Sequence, residues 1–208
     1  GCEFARDYDG VMAAAERYIG LVEVGVGLLP GGAGTKEFAV RASDAYSREG
    51  DVQIPTLIEK FKTIAMAQVA TSADEAFNHG YLLAQKDEIV YNVARNIAEA
   101  KAKVLSLADN YVRPIPRKDI LVLGRTGLGA LYIAAHSLKL GNYATEHDIK
   151  IAQKVAWVLC GGDLTSPQEV SEQYLLDLER EAFMSLCGEQ KTLQRIQHML
   201  ETGKPLRN

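Results

Sequence analysis

The sequence has few cysteines, no long apolar run and no excess of positive charge, and each lack excludes a class of protein. Its three cysteines stand far apart, at positions 2, 160 and 187, so neither a disulfide framework nor a cysteine-rich zinc site is encoded. A net charge of −4 argues against a nucleic-acid-binding face. The longest helix-like apolar stretch, 128–138, contains His136 and is far shorter than the roughly 20 residues that cross a bilayer.

What is present is an ordinary globular composition, and 208 residues suit one large domain or one domain with a helical extension. No secretion leader opens the chain, so we expect a reducing, cytoplasmic setting. Nine of the 18 glycines fall in the first 50 residues, and the rest of the chain is rich in helix signals. This imbalance predicts an α/β protein with few strands followed mostly by helices, and a fragment whose earlier strands precede residue 1.

The apolar segments 11–15 and 18–22 are typical of buried strands, and a glycine-rich loop follows them. Thr35 is predicted to cap a helix that runs to about Ala42. Further helices are predicted at 57–70, 73–79, 86–108, 145–160, 166–187 and 191–201.

The 86–108 helix is expected to face a core with an apolar stripe: Val90, Val93, Ile97, Ala100, Val104 and Leu107. Two helix starts are predicted from capping boxes, Ser72 with Glu75 and Ser166 with Glu169, and Thr145 with Asp148 is predicted to cap another helix. We divide the chain into 1–43, an α/β core remnant; 44–110, connecting helices; and 111–208, a helical region.

The segment 120–129, Ile-Leu-Val-Leu-Gly-Arg-Thr-Gly-Leu-Gly, resembles a nucleotide-binding turn. The full fingerprint requires a second strand after the helix, ending in an acidic residue that holds the ribose. Here Gly141 ends the helix and Thr145 starts another at once. We therefore predict no cofactor site in this chain. The four histidines are scattered without ligand spacing, and no metal site is predicted either.

Two carboxylates near the start are candidate catalytic groups. Glu23 lies within an otherwise apolar run, where a charge is costly unless it is paired or used. Glu3 stands at a predicted helix start, where the helix dipole by itself favours a carboxylate. Periodicity alone favours the inert alternative, in which Glu23 is an exposed strand end.

A resemblance favours the catalytic reading. Gly1-Cys2-Glu3 and the run from Ile19 to Thr35, Ile-Gly-Leu-Val-Glu-Val-Gly-Val-Gly-Leu-Leu-Pro-Gly-Gly-Ala-Gly-Thr, resemble the crotonase (enoyl-CoA hydratase/isomerase) superfamily. Hydratases of that family carry two glutamates 20 residues apart, the second before a glycine-rich loop. Ala33 stands where glycine is commoner, which matters only if that position needs a positive φ.

The resemblance implies the C-terminal part of a crotonase-like fold that hydrates trans-2-enoyl-CoA thioesters. It implies that Glu3 activates the water, that Glu23 delivers the α-proton, and that both face one cleft. The implied substrate-binding residues are Gly1, Pro30, Gly31 and Gly32. The two backbone N–H donors of the family's oxyanion hole, which stabilise the thioester oxygen, would lie outside this chain.

The segment 18–30 and the tail 172–208 also resemble larger bacterial proteins of fatty-acid β-oxidation that join a 3-hydroxyacyl-CoA dehydrogenase part to a hydratase part. That resemblance implies NAD in the dehydrogenase part, the upstream part of the same polypeptide as a partner, and a homo-oligomer. Two alternatives stay open: a crotonase-fold isomerase, which typically keeps one of the two carboxylates, and a non-catalytic helical interaction module.

Overall fold

The computed structural model describes residues 2–6, 8–46 and 52–208. The described helices are α1 (Cys2–Arg6), α2 (Gly34–Ala45), α3 (Gln53–Ala65), α4 (Ala73–Asn78), α5 (Asn96–Ala108), α6 (Gly124–Leu140), α7 (Glu146–Leu159), α8 (Glu172–Cys187) and α9 (Gln190–Thr202). The strands are β1 (Met12–Ala14), β2 (Ile19–Gly20), β3 (Val69–Ala70), β4 (Glu88–Val90), β5 (Ile120–Val122) and β6 (Gln168–Val170).

The chain forms two compact units that interleave along the sequence. The first comprises Gly1–Gly20 with Val69–Ile115, and the second comprises Leu21–Gln68 with Pro116–Asn208. The predicted segments 1–43, 44–110 and 111–208 were drawn from composition and stay a prediction.

The first unit is built on two small sheets. β1 pairs with β4 in parallel, with Ala13 opposite Ile89, and β2 pairs with β3 in antiparallel fashion. The buried Asp87 carboxylate joins the ends of the parallel pair, because it accepts the backbone N–H of Val11 at 2.9 Å and that of Leu83 at 2.7 Å. A two-strand parallel pair is normally covered on both faces by other elements.

The predicted single helix at 86–108 is wrong over its first ten residues. Residues Glu88–Val90 form β4, a short 3-10 helix follows at Val93–Arg95, and α5 begins only at Asn96. Pairing with β1 supplies the backbone hydrogen bonds that a helix would otherwise supply. The expected core-facing stripe is wrong too, because α5 has no buried residue.

The Ser72 cap is confirmed as a helix start, although only one half of the predicted box forms. The Ser72 hydroxyl accepts the Glu75 N–H at 3.1 Å, and α4 starts at the next residue. The Glu75 carboxylate bonds Thr71 instead, through its N–H at 2.6 Å and its hydroxyl at 2.9 Å. These bonds are the main cause of the lowered pKa of Glu75.

The second unit is a helical assembly around α7, which packs against α2, α3, α6 and α8. Its core consists of aliphatic and aromatic side chains with almost no exposure, among them Leu21, Leu29, Phe38, Leu57, Phe61, Ile64, Leu131, Ile151, Val155, Leu175 and Ala182. The Thr145–Asp148 capping box is confirmed in full, with Thr145 accepting the Asp148 N–H and Asp148 accepting the Thr145 N–H.

The predicted helix at 166–187 starts later than its capping motif indicates. Gln168–Val170 form β6, which pairs antiparallel with β5, and α8 begins after Ser171, whose hydroxyl accepts the Tyr174 N–H at 3.1 Å. β5 needs a hydrogen-bonding partner, and the 168–170 segment provides it. Ser171 is therefore the N-cap, and the prediction for Ser166 is wrong.

The expectation of an α/β protein with few strands and mostly helices is confirmed, whereas a crotonase-like fold is not. Within the described residues, no helix is both long and apolar enough to span a membrane.

Candidate functional site

The glycine-rich loop leads directly into α2 through an unusual residue. Ala33 is the N-cap of α2 and adopts the left-handed conformation, with φ 70°. That conformation costs a residue with a Cβ roughly 1–2 kcal/mol. Position 33 therefore does need a positive φ, and an alanine there carries a backbone cost that a glycine would not.

Thr35 does not cap α2, contrary to the prediction. It lies inside the first turn, and its hydroxyl donates to the Pro30 carbonyl at 3.0 Å, which closes the loop. The cap comes from a distant residue, since the Glu179 carboxylate of α8 accepts the N–H of Ala33 at 2.7 Å and that of Lys36 at 2.8 Å. Glu179 is only 1% exposed. An anionic acceptor at a helix N-terminus is favoured both by its free N–H groups and by the helix dipole.

The predicted substrate-binding residues Pro30, Gly31 and Gly32 lie in this closed loop. Gly31 has a packing reason to be glycine, because a Cβ there would stand 2.5 Å from a ring carbon of Phe183 on α8. Gly1 lies outside the described residues. A substrate contact for these four residues stays a prediction.

The two predicted catalytic carboxylates lie in different units. Glu3 is half-buried in the first turn of α1 in the first unit. Glu23 is half-buried and opens a 3-10 helix, Glu23–Val26, in the second unit. The Glu23 carbonyl accepts the N–H of Leu28 at 3.1 Å, so its backbone helps shape the start of the loop. The shared cleft expected for the pair stays a prediction.

A buried polar chain anchors the glycine-rich loop from the other side. The Thr192 hydroxyl of α9 donates to the Gly27 carbonyl at 2.9 Å and lies 2.9 Å from Nε2 of His147 on α7. Because the hydroxyl proton is used on Gly27, His147 must donate from Nε2. Burial is the main cause of its lowered pKa, and the nearby positive charge of Arg195 adds to it. His147 is therefore neutral near pH 7.

Arg195 ties α9 to the start of α7. Its guanidinium donates to the Asp148 carboxylate at 2.7 Å and to the Asn208 side chain at 2.9 Å. Arg195 is 2% exposed, which is rare for an arginine without an anionic partner. Sequence reasoning missed Glu179, His147 and Arg195 because each is defined by partners far away in the sequence.

Two clefts stand out among the described residues of the first unit. One has a volume of about 750 Å³ and lies between β1 with its preceding segment and α5; its lining is largely apolar and includes Val11, Met12, Val104, Leu107 and Tyr111, with Lys103 and Asp9 as its charged members. The other has a volume of about 560 Å³ and follows β1 and β2, with Arg17, Tyr81 and Asn96 in its lining. The apolar cleft is the larger candidate binding site.

The 120–129 segment does not fit a dinucleotide. A pyrophosphate would need the free N–H groups at the start of α6, but the Gly124 N–H donates to the Cys160 carbonyl at 3.0 Å and the Arg125 N–H donates to the Leu164 carbonyl at 2.8 Å. β5 pairs only with the antiparallel β6 among the described strands, so the βαβ context is missing there.

The remaining candidate groups give no second site. Burial raises the pKa of the Cys160 thiol to about 12, so it stays protonated and packs as a small apolar residue. Within the described residues, no group of three or more His, Cys, Asp or Glu side chains is arranged to hold a metal ion.

Comparison with curated proteins places the chain beside enzymes of fatty-acid oxidation. A Bacillus subtilis (strain 168) protein named "Probable 3-hydroxyacyl-CoA dehydrogenase" is 46% identical over 198 residues, which is 95% of this chain and 24% of that protein. Proteins of Rickettsia felis and Rickettsia prowazekii, both named as a fatty acid oxidation complex trifunctional enzyme, are each 26% identical over 97% and 95% of this chain. The chain spans about a quarter of the length of each of these relatives. No protein-family model matches it.

These comparisons correct the functional prediction. The relative that is 46% identical over nearly the whole chain is named for dehydrogenation, so the assignment to the crotonase superfamily and to enoyl-CoA hydratase, a lyase, is wrong. The two alternatives, an isomerase and a non-catalytic helical module, are not better supported. The names of these relatives refer to 3-hydroxyacyl-CoA dehydrogenation and to fatty-acid oxidation.

Proposed function

We propose that this chain is part of a larger enzyme of fatty-acid oxidation with 3-hydroxyacyl-CoA dehydrogenase activity. The observation that carries the proposal is the 46% identity over 198 residues to a protein of that name. The reaction oxidises the C3 hydroxyl of an acyl thioester to a ketone with a nicotinamide nucleotide as hydride acceptor. Because the Gly124 turn does not fit a dinucleotide, the nucleotide site is assigned to the rest of the polypeptide.

Within that enzyme, the apolar cleft of the first unit is proposed to hold the acyl chain. A fatty acyl group needs a largely apolar wall with few charges, and Val104, Leu107 and Met12 provide one. Lys103 and Asp9 are the charged members of this cleft, and Lys103 is already ion-paired with Glu88. A cytoplasmic location and a homo-oligomer accompany this proposal as predictions.

The dehydrogenase assignment is tested by expressing the longer polypeptide and following NADH formation from 3-hydroxyacyl-CoA. We expect saturable, NAD-dependent oxidation. A soluble, folded polypeptide that produces no NADH with short or long substrates would contradict the assignment.

The cleft is tested separately with Val104→Glu in the longer polypeptide. A charge in the cleft should hinder burial of the acyl chain, and each buried CH₂ contributes about 0.8 kcal/mol. We therefore expect kcat/KM to fall about tenfold for a sixteen-carbon substrate, which has many CH₂ groups to bury, and little for a four-carbon one. Ile97→Glu is the matched control, since Ile97 is on the same helix, is 86% exposed and does not line the cleft. Equal effects of the two variants would place the acyl chain elsewhere.

A further inference from the structure

In the first unit, the parallel pair of β1 and β4 has an edge at β1 whose backbone groups are not paired with a described strand. The Glu88 N–H donates to the Val11 carbonyl at 2.9 Å, and the Ala15 N–H donates to the Val90 carbonyl at 3.1 Å. Parallel ladders use alternate residues, so the N–H and C=O groups of Met12 and Ala14 point away from β4. No described strand pairs with β1 on that side.

The edge formed by β4 is protected against pairing with a further strand, whereas the edge formed by β1 is not. β4 presents Glu88, whose carboxylate forms an ion pair with Lys103 of α5 at 2.5 Å, and charged side chains on a strand are a common device against further pairing. β1 reads Met-Ala-Ala and has no charge. An uncharged strand with free backbone groups is a template for another strand.

Among the described residues, a cleft borders β1 and is the space that such a strand would occupy. The 560 Å³ cleft follows Val11–Ala14 and continues to Ile19 and Gly20. A paired strand would lie roughly 4.8 Å from β1, a spacing that the backbone hydrogen bonds set. A two-stranded sheet is also marginal by itself, and a parallel one needs both faces covered.

The lengths of the relatives indicate where a strand that pairs with β1 would come from. Nearly all of this chain matches them, yet it accounts for only 24% of each, so a matching polypeptide carries about three times as many further residues. We propose that the free edge of β1 pairs with a strand from the remainder of that longer polypeptide. The proposal rests on the larger-enzyme part of the proposed function, but it requires no catalytic activity.

Amide hydrogen exchange in the longer polypeptide tests the pairing. The Met12 and Ala14 amides should exchange about 100-fold or more slowly than the Ile89 amide, which points outward on the opposite edge and is the matched control. Met12 and Ala14 amides that exchange as fast as Ile89 would overturn the proposal. Protection that depends on protein concentration would overturn it too, because it would make a second copy the occupant.

A proline pair gives an independent readout in the same polypeptide. Ala14→Pro removes the N–H on the proposed paired edge, and Ile89→Pro removes one on the guarded edge. We expect Ala14→Pro to lower Tm by at least about 5 °C more than Ile89→Pro. Equal shifts would contradict the added strand. These measurements need no turnover, so a polypeptide without dehydrogenase activity could still support the added strand.

Discussion

Glu179 of α8 accepts the backbone N–H of Lys36 at 2.8 Å, across 143 residues of sequence. The second oxygen of the same carboxylate accepts the Ala33 N–H. One buried side chain thus satisfies two donors at the N-terminus of α2 and holds the end of the glycine-rich loop against α8.

Glu179→Gln should therefore lower the free energy of unfolding by about 2–3 kcal/mol. Glutamine keeps one acceptor oxygen but presents an NH₂ group where the second acceptor stood, so one helix N–H loses its partner. Urea unfolding measures the loss. Glu181→Gln, at an exposed site on the same helix, is the control and should stay within about 0.5 kcal/mol of wild type. Equal losses would show that the Glu179 contacts do not stabilise the fold.

Ala33→Gly should stabilise the chain by about 1 kcal/mol. Ala33 is held at φ 70°, and glycine adopts that conformation without the Cβ clash, although part of the gain is lost to the greater freedom of the unfolded chain. Thermal and urea unfolding measure whether Ala33→Gly raises or lowers the stability of the chain. Ala45→Gly, at an exposed helical position in α2, should destabilise instead. A destabilised Ala33→Gly variant would contradict the strain.

Stability should fall as the pH drops below about 6.5, the ordinary pKa of histidine, through His147. The folded pKa of this group lies below its unfolded value, so the unfolded chain binds the proton more readily, and the contribution is complete above the unfolded pKa and lost below it. The loss can reach about 1.4 kcal/mol per pH unit. Urea unfolding at pH 7.5 and 5.5 measures it.

His147→Gln should remove this part of the pH dependence, because glutamine can still donate to Thr192 and does not titrate. The exposed His136 provides the control, and His136→Gln should keep the wild-type slope. A slope that His147→Gln leaves unchanged would assign the effect to other groups.

Arg125→Glu in the longer polypeptide should leave the KM for NAD within about twofold of wild type, because we expect no contact between Arg125 and the nucleotide. Loss of a contact to a phosphate would typically raise KM by more than that. Arg125 forms a surface ion pair with Asp163 at 2.7 Å, and its N–H is already bonded to Leu164. Steady-state kinetics with varied NAD test this, with Arg180→Glu, a change of another surface arginine, as the control. A tenfold rise confined to Arg125→Glu would show that the 124–129 turn does bind the nucleotide.

Local sequence signals determined the helices that carry their own caps and an apolar face. α7 follows from Thr145 and Asp148 at its start and from Gly161 and Gly162 after its end, because a cap involves residues three apart. That no strand directly follows α6 could likewise be predicted from sequence, since helix signals follow α6 directly.

Tertiary contacts decided what the local signals left open. Glu88–Val90 and Gln168–Val170 became strands because β1 and β5 supply hydrogen-bonding partners far away in the chain. For the same reason, the free N–H groups at the start of α2 donate to Glu179, and the predicted cap Thr35 does not serve them. A strand pair or a buried carboxylate is defined by residues that meet only after folding, and periodicity within a short window does not register them.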